Sequence, residues 1–206
     1  MFSLEGKSIV VTGASSGIGK AIALLCANQG ARIIAMGRDI QRLSETFREL
    51  PVPPNHYTFT GDLNLEETGL RFEQFLKENH IQVNGLVHAA GVSPTVTLRA
   101  LNSEKIRSTF SSNVESAFML SRVCCKSGVV HPDGASIVWI ASVTASVGAV
   151  GKALYGASKS ALVAAAKGLA LEYAPKKIRF NTVSPGVVIT PMSMSSVYSK
   201  NIETLK

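Results

Sequence analysis

Short apolar runs that alternate with longer helix-like segments constrain the fold of this chain more than any other feature. The runs are nearly continuous in apolar character, as expected for parallel strands that helices cover on both faces. The predicted strands are Ser8–Thr12, Arg32–Met36, Tyr57–Thr60, Gly85–His88, Ser136–Ile140 and Arg179–Val183. The predicted helices are Gly17–Asn28, Ile40–Leu50, Glu66–Asn79, a long stretch around Ser103–Lys126, and Lys152–Tyr173. The alternation predicts an α/β fold with a doubly wound parallel sheet and right-handed crossovers.

The composition is that of an ordinary globular domain. Hydrophobic residues make up 46% of the 206 residues and charged residues 17%, which excludes general disorder. The most apolar late stretch, Ala161 to Ala170, is interrupted by Lys167 and is too short to span a bilayer. The first residues lack the long apolar segment of a signal peptide. We predict a single soluble domain over residues 1–206, with no membrane partner.

The net charge of +7 raises nucleic-acid binding as one function class. Lysine and arginine are scattered, however, and no basic run is interleaved with aromatic residues. We therefore predict no nucleic-acid partner, although salt-dependent association with nucleic acid would support that alternative. The three cysteines, Cys26, Cys124 and Cys125, have no metal-ligand spacing, which favours free thiols in a cytoplasmic protein without a metal.

A glycine-rich turn follows the first strand directly and leads into the first helix. Gly13 permits a sharp turn, Gly17 lets the backbone approach a phosphate, and Gly19 allows the helix to pack closely on the strand. Free N–H groups and the positive end of the helix dipole would hold a pyrophosphate. The alternative is a turn without a ligand, but the strand before it and the helix after it favour a dinucleotide site.

The end of the second strand indicates which dinucleotide binds. Sites specific for NAD place an acid there, which accepts hydrogen bonds from the 2′-hydroxyl of the adenosine ribose. This chain has Gly37 and Arg38 instead, and the guanidinium could pair with a 2′-phosphate. Arg38 could also be a solvated helix residue, and Asp39 is interpreted as the cap of the next helix. The pattern favours NADP(H) over NAD(H).

Tyr155 and Lys159 lie four residues apart and so share one face of a predicted helix. A nearby ammonium group stabilises a phenolate and would move the pKa of Tyr155 towards neutrality, where it could act as an acid or base. Such a pair could equally lie on an exposed helix surface. Ser142 follows the fifth predicted strand, and Asn113 lies in a helix-like stretch where asparagine has poor propensity. Either could also be an ordinary turn or surface residue.

Taken together, these residues resemble the short-chain dehydrogenase/reductase family, from Leu4 to Thr190. The glycine turn of that family is T-G-x-x-x-G-x-G, and Asn113, Ser142, Tyr155 and Lys159 match its catalytic tetrad in order and approximate spacing. The resemblance implies a Rossmann-type sheet with strand order 3-2-1-4-5-6 and hydride transfer between NADP(H) and a small-molecule carbonyl or secondary alcohol.

The resemblance also implies a role for each member of the tetrad. Tyr155 would be the acid/base, and Lys159 would contact the nicotinamide ribose and lower the pKa of the tyrosine. Ser142 would orient and polarise the carbonyl, while Asn113 would hold a water that links the lysine to solvent. Asp62 would hold the adenine amino group and Thr190 the nicotinamide carboxamide. The implied cofactor-binding residues are Gly13, Ser15, Ser16, Gly17, Ile18, Gly19, Arg38, Asp62, Leu63, Ala89, Ala90, Gly91, Tyr155, Lys159, Pro185, Gly186, Val188 and Thr190.

Two departures from the family pattern limit what the resemblance implies. His88 stands where the motif after the fourth strand usually begins with asparagine, and we interpret it as a histidine with satisfied hydrogen bonds at a strand end. The chain ends at Lys206, whereas family members continue through another helix and a seventh strand, so the sixth strand is expected at a bare edge. This ending raises the alternative of a non-catalytic NADP(H)-binding or scaffold protein.

The resemblance leaves the substrate open. Residues 186–206 are expected to form a substrate-loop region, in which Val187–Tyr198 lines the pocket together with Val92–Leu101. Both segments mix small, apolar and polar residues, so they do not rank the ketones, sugars, steroids and acyl thioesters that the family reduces. A 3-oxoacyl thioester is the first substrate to try, by family frequency. A homodimer or homotetramer is expected on the same ground.

Overall fold

The computed structural model describes residues 3–51 and 55–194. These residues contain one six-stranded parallel sheet in the order β3-β2-β1-β4-β5-β6, which confirms the predicted fold class and strand order. The strands are β1 Ser8–Thr12, β2 Arg32–Gly37, β3 Tyr57–Thr60, β4 Gly85–His88, β5 Ala135–Ile140 and β6 Ile178–Val183.

The helices differ from the prediction chiefly in the stretch around residues 103–126. That stretch is interrupted by a π-helical turn, Ser111–Glu115, between two α-helices. The α-helices are α1 Gly17–Asn28, α2 Ile40–Arg48, α3 Glu66–Glu78, α4 Ser103–Phe110, α5 Ser116–Cys124, α6 Ala153–Tyr173 and α7 Pro191–Met194. Other ends agree with the prediction to within two residues.

Two apolar clusters cover the two faces of the sheet. Along β1, Val10 belongs to one cluster while Ile9 and Val11 belong to the other, because successive side chains of a strand point to opposite faces. Every residue of β1 is consequently buried, which explains its continuous apolar sequence. With all strands parallel, their carboxyl ends meet at one edge of the sheet, where the loops after β1, β2, β4, β5 and β6 gather.

Several expectations concern features outside this sheet. Among the described residues, no helix combines the length and the apolar character that a bilayer crossing requires. Strand β6 forms one edge of the described sheet. The last part of the predicted substrate loop, residues 195–206, lies outside the described residues. The predicted single-domain extent, homo-oligomer and cytoplasmic location stay predictions.

Candidate active site

The turn after β1 has the geometry of a phosphate cradle. Gly13 and Gly17 adopt φ angles of +64° and +54°, which disfavour other residues. A Cβ added to Gly19 would overlap the carbonyl of Gly13, so only glycine lets α1 approach the strand this closely. Ser16 makes no side-chain cap, and the first turn of α1 contains no acid. The N–H groups at the start of α1 are therefore suited to phosphate oxygens, and this turn fits a dinucleotide.

The turns after β1 and β4 are joined by one side chain, that of Thr12. Its Oγ1 accepts hydrogen bonds from the backbone N–H groups of Ala89 and Ala90, at 3.0 Å in both cases. The two turns pack tightly beside Thr12: a Cβ added to Gly13, in the turn after β1, would lie 3.0 Å from the backbone nitrogen of Ala90, in the turn after β4. Thr12 thereby fixes the spacing between the cradle and the loop that begins at Ala89.

His88, 1% exposed, extends this link to α5. Its Nδ1 lies 3.2 Å from Thr12 Oγ1, and its Nε2 lies 3.2 Å from Ser116 Oγ. Ser116 donates its own proton to the Ser112 carbonyl, so Nε2–H must donate to Ser116 while Nδ1 accepts from Thr12. Burial, together with the charge of Lys159, lowers the pKa of His88 to about 3. The histidine is therefore neutral and satisfied, as the sequence indicated.

Most of the predicted site residues line a single cleft of about 340 Å³ at the carboxyl edge of the sheet. Two do not line it: Asn113 is fully buried, and Val188 is 41% exposed. The predicted residues that line it are Gly13, Ser15, Ser16, Gly17, Ile18, Gly19, Arg38, Asp62, Leu63, Ala89, Ala90, Gly91, Ser142, Tyr155, Lys159, Pro185, Gly186 and Thr190. Further lining residues that the sequence did not indicate include Arg42, Asn64, Ser112 and Ser116, while Met192 belongs to the predicted segment Val187–Tyr198.

Ser142 and Tyr155 meet in this cleft because the loop after β5 packs directly on α6. A Cβ added to Gly156 would lie 2.8 Å from the Thr144 carbonyl, so glycine permits this close approach. The hydroxyl and the N–H of Thr144 both donate to Ser142 Oγ, at 2.9 and 3.2 Å. The proton of Ser142 is thus left for Tyr155 or for a bound oxygen. Thr144 was not predicted as a site residue.

Lys159 is 5% exposed, and its Nζ donates to the Ile140 carbonyl at 2.7 Å. The ammonium lies 5.8 Å from the centre of the Tyr155 ring. Burial lowers the pKa of Lys159 to about 8. The pair shares one helix face and one cleft, as the four-residue spacing indicated.

The expected lowering of the tyrosine pKa is wrong for this structure. Burial raises the pKa of Tyr155 above its ordinary value, and the hydrogen bond from Ser142 opposes this shift only in part. The physical reason is that the half-buried phenol loses water, which disfavours its charged form. Tyr155 consequently holds its proton at neutral pH.

Asn113 is buried next to the cleft and makes hydrogen bonds to the segments that form its wall. Its side-chain amide accepts from the Val92 N–H at 2.7 Å and donates to the Val92 carbonyl at 3.0 Å and to Ser158 Oγ at 2.9 Å. It lies in the π-helical turn, a form that frequently occurs at functional sites. Its amide oxygen also lies 2.7 Å from where a Cβ on Gly91 would stand. Asn113 therefore fixes the segment after β4 against α6.

The far end of the cleft contains the groups predicted to bind adenosine. Arg38 and Arg42 both line it, and Asp39 caps α2 by accepting from the Arg42 N–H at 3.1 Å. The acid nearest the end of β2 is thus engaged as a helix cap, as predicted. Asp62 accepts from the Asn64 N–H at 3.1 Å, and it lines the cleft as well.

Comparison with known proteins assigns the chain to a family. A family model described as short chain dehydrogenase matches residues 7–201. The chain belongs to the short-chain dehydrogenase/reductase family. Carbonyl reductase family member 4 of Xenopus laevis is 34% identical over 188 residues, covering 91% of this chain and 78% of that protein.

Two further comparisons agree with this family. The 3-oxoacyl-[acyl-carrier-protein] reductase of Mus musculus is 33% identical over 187 residues, covering 91% of this chain and 78% of that protein. A short-chain dehydrogenase from Burkholderia cenocepacia, solved in complex with NADP, superposes with a TM-score of 0.89 at 26% identity. That superposition covers 98% of this chain and 83% of the other. The family to which the chain belongs is one of oxidoreductases.

Proposed function

We propose that this protein is an NADP(H)-dependent oxidoreductase that interconverts a carbonyl and a secondary alcohol. The observation that carries the proposal is that Tyr155, Ser142 and Lys159 line the same cleft as the glycine turn after β1. A phenol that holds its proton, beside a serine with a free proton, suits the protonation of a carbonyl oxygen during reduction. The substrate proposed for the first trial is a 3-oxoacyl thioester, in line with the similarity to acyl-carrier-protein reductases.

Each residue has a distinct part in this proposal. When bound, the nicotinamide would supply the hydride, and the protein supplies position and electrostatics. Ser142 donates to the carbonyl oxygen, while Tyr155 transfers its proton to the same oxygen as negative charge develops there. Lys159 balances the charge left on the phenolate and offers its ammonium to the ribose hydroxyls. Asn113 keeps the segment after β4 in place, and its predicted link to solvent stays a prediction.

The direct test is a substrate panel with the purified protein. We expect the absorbance of NADPH to fall when a 3-oxoacyl thioester or another ketone is added, at pH values where Tyr155 is protonated. Binding of NADPH without oxidation by any carbonyl of a broad panel would contradict this proposal and favour the non-catalytic alternative. A calorimetric titration with NADPH separates that result from a failure to bind the cofactor.

The preference for NADP(H) is tested separately through Arg38. Because Arg38 lines the adenosine end of the cleft, Arg38→Ala should lower kcat/KM for NADPH by about ten- to a hundred-fold. The value of kcat/KM for NADH should stay nearly unchanged. Arg48→Ala is the matched control, since Arg48 is exposed at the end of α2 and does not line the cleft. Equal use of NADPH and NADH by the unaltered protein would contradict the preference.

A further inference from the structure

A second pocket, here called the side pocket, opens beside the main cleft. It lies between residues 91–95, helix α4 and the side chain of Arg38, and its volume is about 640 Å³. Arg38, Gly91, Val92 and Met192 line both the side pocket and the main cleft. A ligand in the side pocket would therefore adjoin a cofactor or a substrate that occupies the cleft.

The charged residues that line the side pocket are both cations. They are Arg38, which follows β2, and Lys105, which lies on α4. Among the described residues that line this pocket there is no aspartate or glutamate. The acids beside the two cations in sequence are placed elsewhere, because Asp39 caps α2 and Glu104 lines a different pocket. Two cations without an acid to neutralise them favour an anionic ligand.

The side chain of Lys105 is held at this pocket and still has donors to offer. Its Nζ donates to the Ala100 carbonyl at 2.8 Å. An ammonium group has three N–H donors, so this hydrogen bond leaves two of them for a ligand. The same bond ties the lysine to the segment before α4, which reduces the side-chain entropy that binding would otherwise cost.

The Ser93 hydroxyl lines the same pocket and is a neutral donor. Its Oγ accepts a hydrogen bond from Lys152 Nζ at 3.0 Å, so its own proton can go to a ligand oxygen. The hydroxyls of Ser108 and Thr109 differ, since both donate to the Lys105 carbonyl, at 3.2 and 2.7 Å. The side pocket thus offers a hydroxyl donor together with its two charged donors.

We propose that the side pocket is a phosphate site in which Lys105 and Arg38 bind a phosphate monoester. Such a group carries up to two negative charges and three acceptor oxygens, which match two cations and a hydroxyl. Two ligands of the proposed reaction carry one: NADPH, as its 2′-phosphate, and a 3-oxoacyl group on a 4′-phosphopantetheine arm. The inference rests on the proposed function and deepens it, because it names the anionic group that this part of the protein recognises.

The test compares ligand pairs that differ by one phosphate. Calorimetry gives the Kd of 2′,5′-ADP and of 5′-AMP for the free protein. It then gives the Kd of 4′-phosphopantetheine and of pantetheine for the protein saturated with NADP⁺. Within each pair, the Kd without the phosphate divided by the Kd with it isolates the phosphate contribution. The ionic strength is kept at about 0.01 M, where a Debye length of about 30 Å leaves charge attraction largely unscreened.

Lys105→Gln removes one charge from an exposed side chain. We expect this variant to lower at least one of the two ratios by about five- to ten-fold, the loss of one partly solvated, charge-assisted hydrogen bond. A lower ratio for the adenosine pair assigns the site to the cofactor, and a lower ratio for the pantetheine pair assigns it to the substrate. Lys105→Arg keeps the charge and should keep both ratios.

Arg107→Gln is the matched control for this substitution. Arg107 is exposed on the same helix α4, but it lines a different pocket, so its loss should leave both ratios unchanged. An equal fall with Arg107→Gln would overturn the inference, because the effect would then come from overall charge and not from the side pocket.

Unchanged ratios for both pairs in Lys105→Gln would also overturn the inference. Wild-type ratios near one would have the same consequence and require no variant. A ratio that Lys105→Gln lowers, in a protein that oxidises NADPH with no carbonyl, would leave the phosphate site standing and contradict the proposed function. An active enzyme whose ratios do not respond to Lys105→Gln would do the reverse.

Discussion

Tyr155→Phe is expected to lower kcat/KM for carbonyl reduction by about a thousand-fold or more, while NADPH still binds. The reason is that phenylalanine removes the proton donor, which contributes about 10²–10⁴-fold in comparable acid–base steps, together with the hydrogen bond that Tyr155 accepts from Ser142. The measurement is the initial rate of NADPH oxidation at several substrate concentrations, at a pH where the parent protein is most active.

Measuring NADPH binding distinguishes a variant that has lost proton transfer from one that has lost the cofactor site. The dissociation constant for NADPH should change less than about ten-fold, because the phosphate cradle after β1 is formed by backbone groups that the substitution does not touch. Tyr173→Phe is the matched control: the same change at the other end of α6, where Tyr173 packs against Phe180. Substantial turnover by the Tyr155→Phe protein would contradict the acid–base role proposed for Tyr155.

The parts of the structure that were predictable from sequence are those with a strong local pattern. All six strands were predictable because continuous apolar runs between turns are typical of a sheet covered on both faces, as the fully buried β1 illustrates. The cradle was predictable because Gly13, Gly17 and Gly19 each meet a backbone requirement that another residue would violate. The match to the family tetrad predicted that Ser142, Tyr155 and Lys159 act together, and in the structure they line one cleft.

The remaining parts depend on contacts between distant segments. The π-helical turn at Asn113 has no propensity signal, since it follows from the fit of one amide to Val92 and Ser158. Lys152 reads as an ordinary surface lysine until residues 93–94 are seen to surround it. The raised pKa of Tyr155 follows from burial, which sequence spacing does not report.

The second large effect concerns stability in acid, and it arises from His88. Since its folded pKa of about 3 lies below its ordinary value of 6.5, the unfolded chain binds more protons between these two pH values. Stability from the neutral, buried histidine is complete above pH 6.5 and is lost as the pH falls towards 3. We expect a loss of about 1.4 kcal/mol per pH unit within this window from this residue.

His88→Gln isolates this effect, because every other titrating group is present in both proteins. Glutamine can still donate towards Ser116, but it does not take up a proton, so the unfolding free energy of wild type minus variant should fall by about 2 kcal/mol between pH 6.5 and pH 4.5. Urea unfolding followed by the fluorescence of Trp139, the only tryptophan, measures both proteins. His80→Asn is the matched control, at an exposed position with a φ of 51° that asparagine tolerates. A difference for His88→Gln that does not vary with pH would mean that the imidazole takes up its proton as readily in the folded as in the unfolded protein, and the hydrogen bonds assigned to Thr12 and Ser116 would then be wrong.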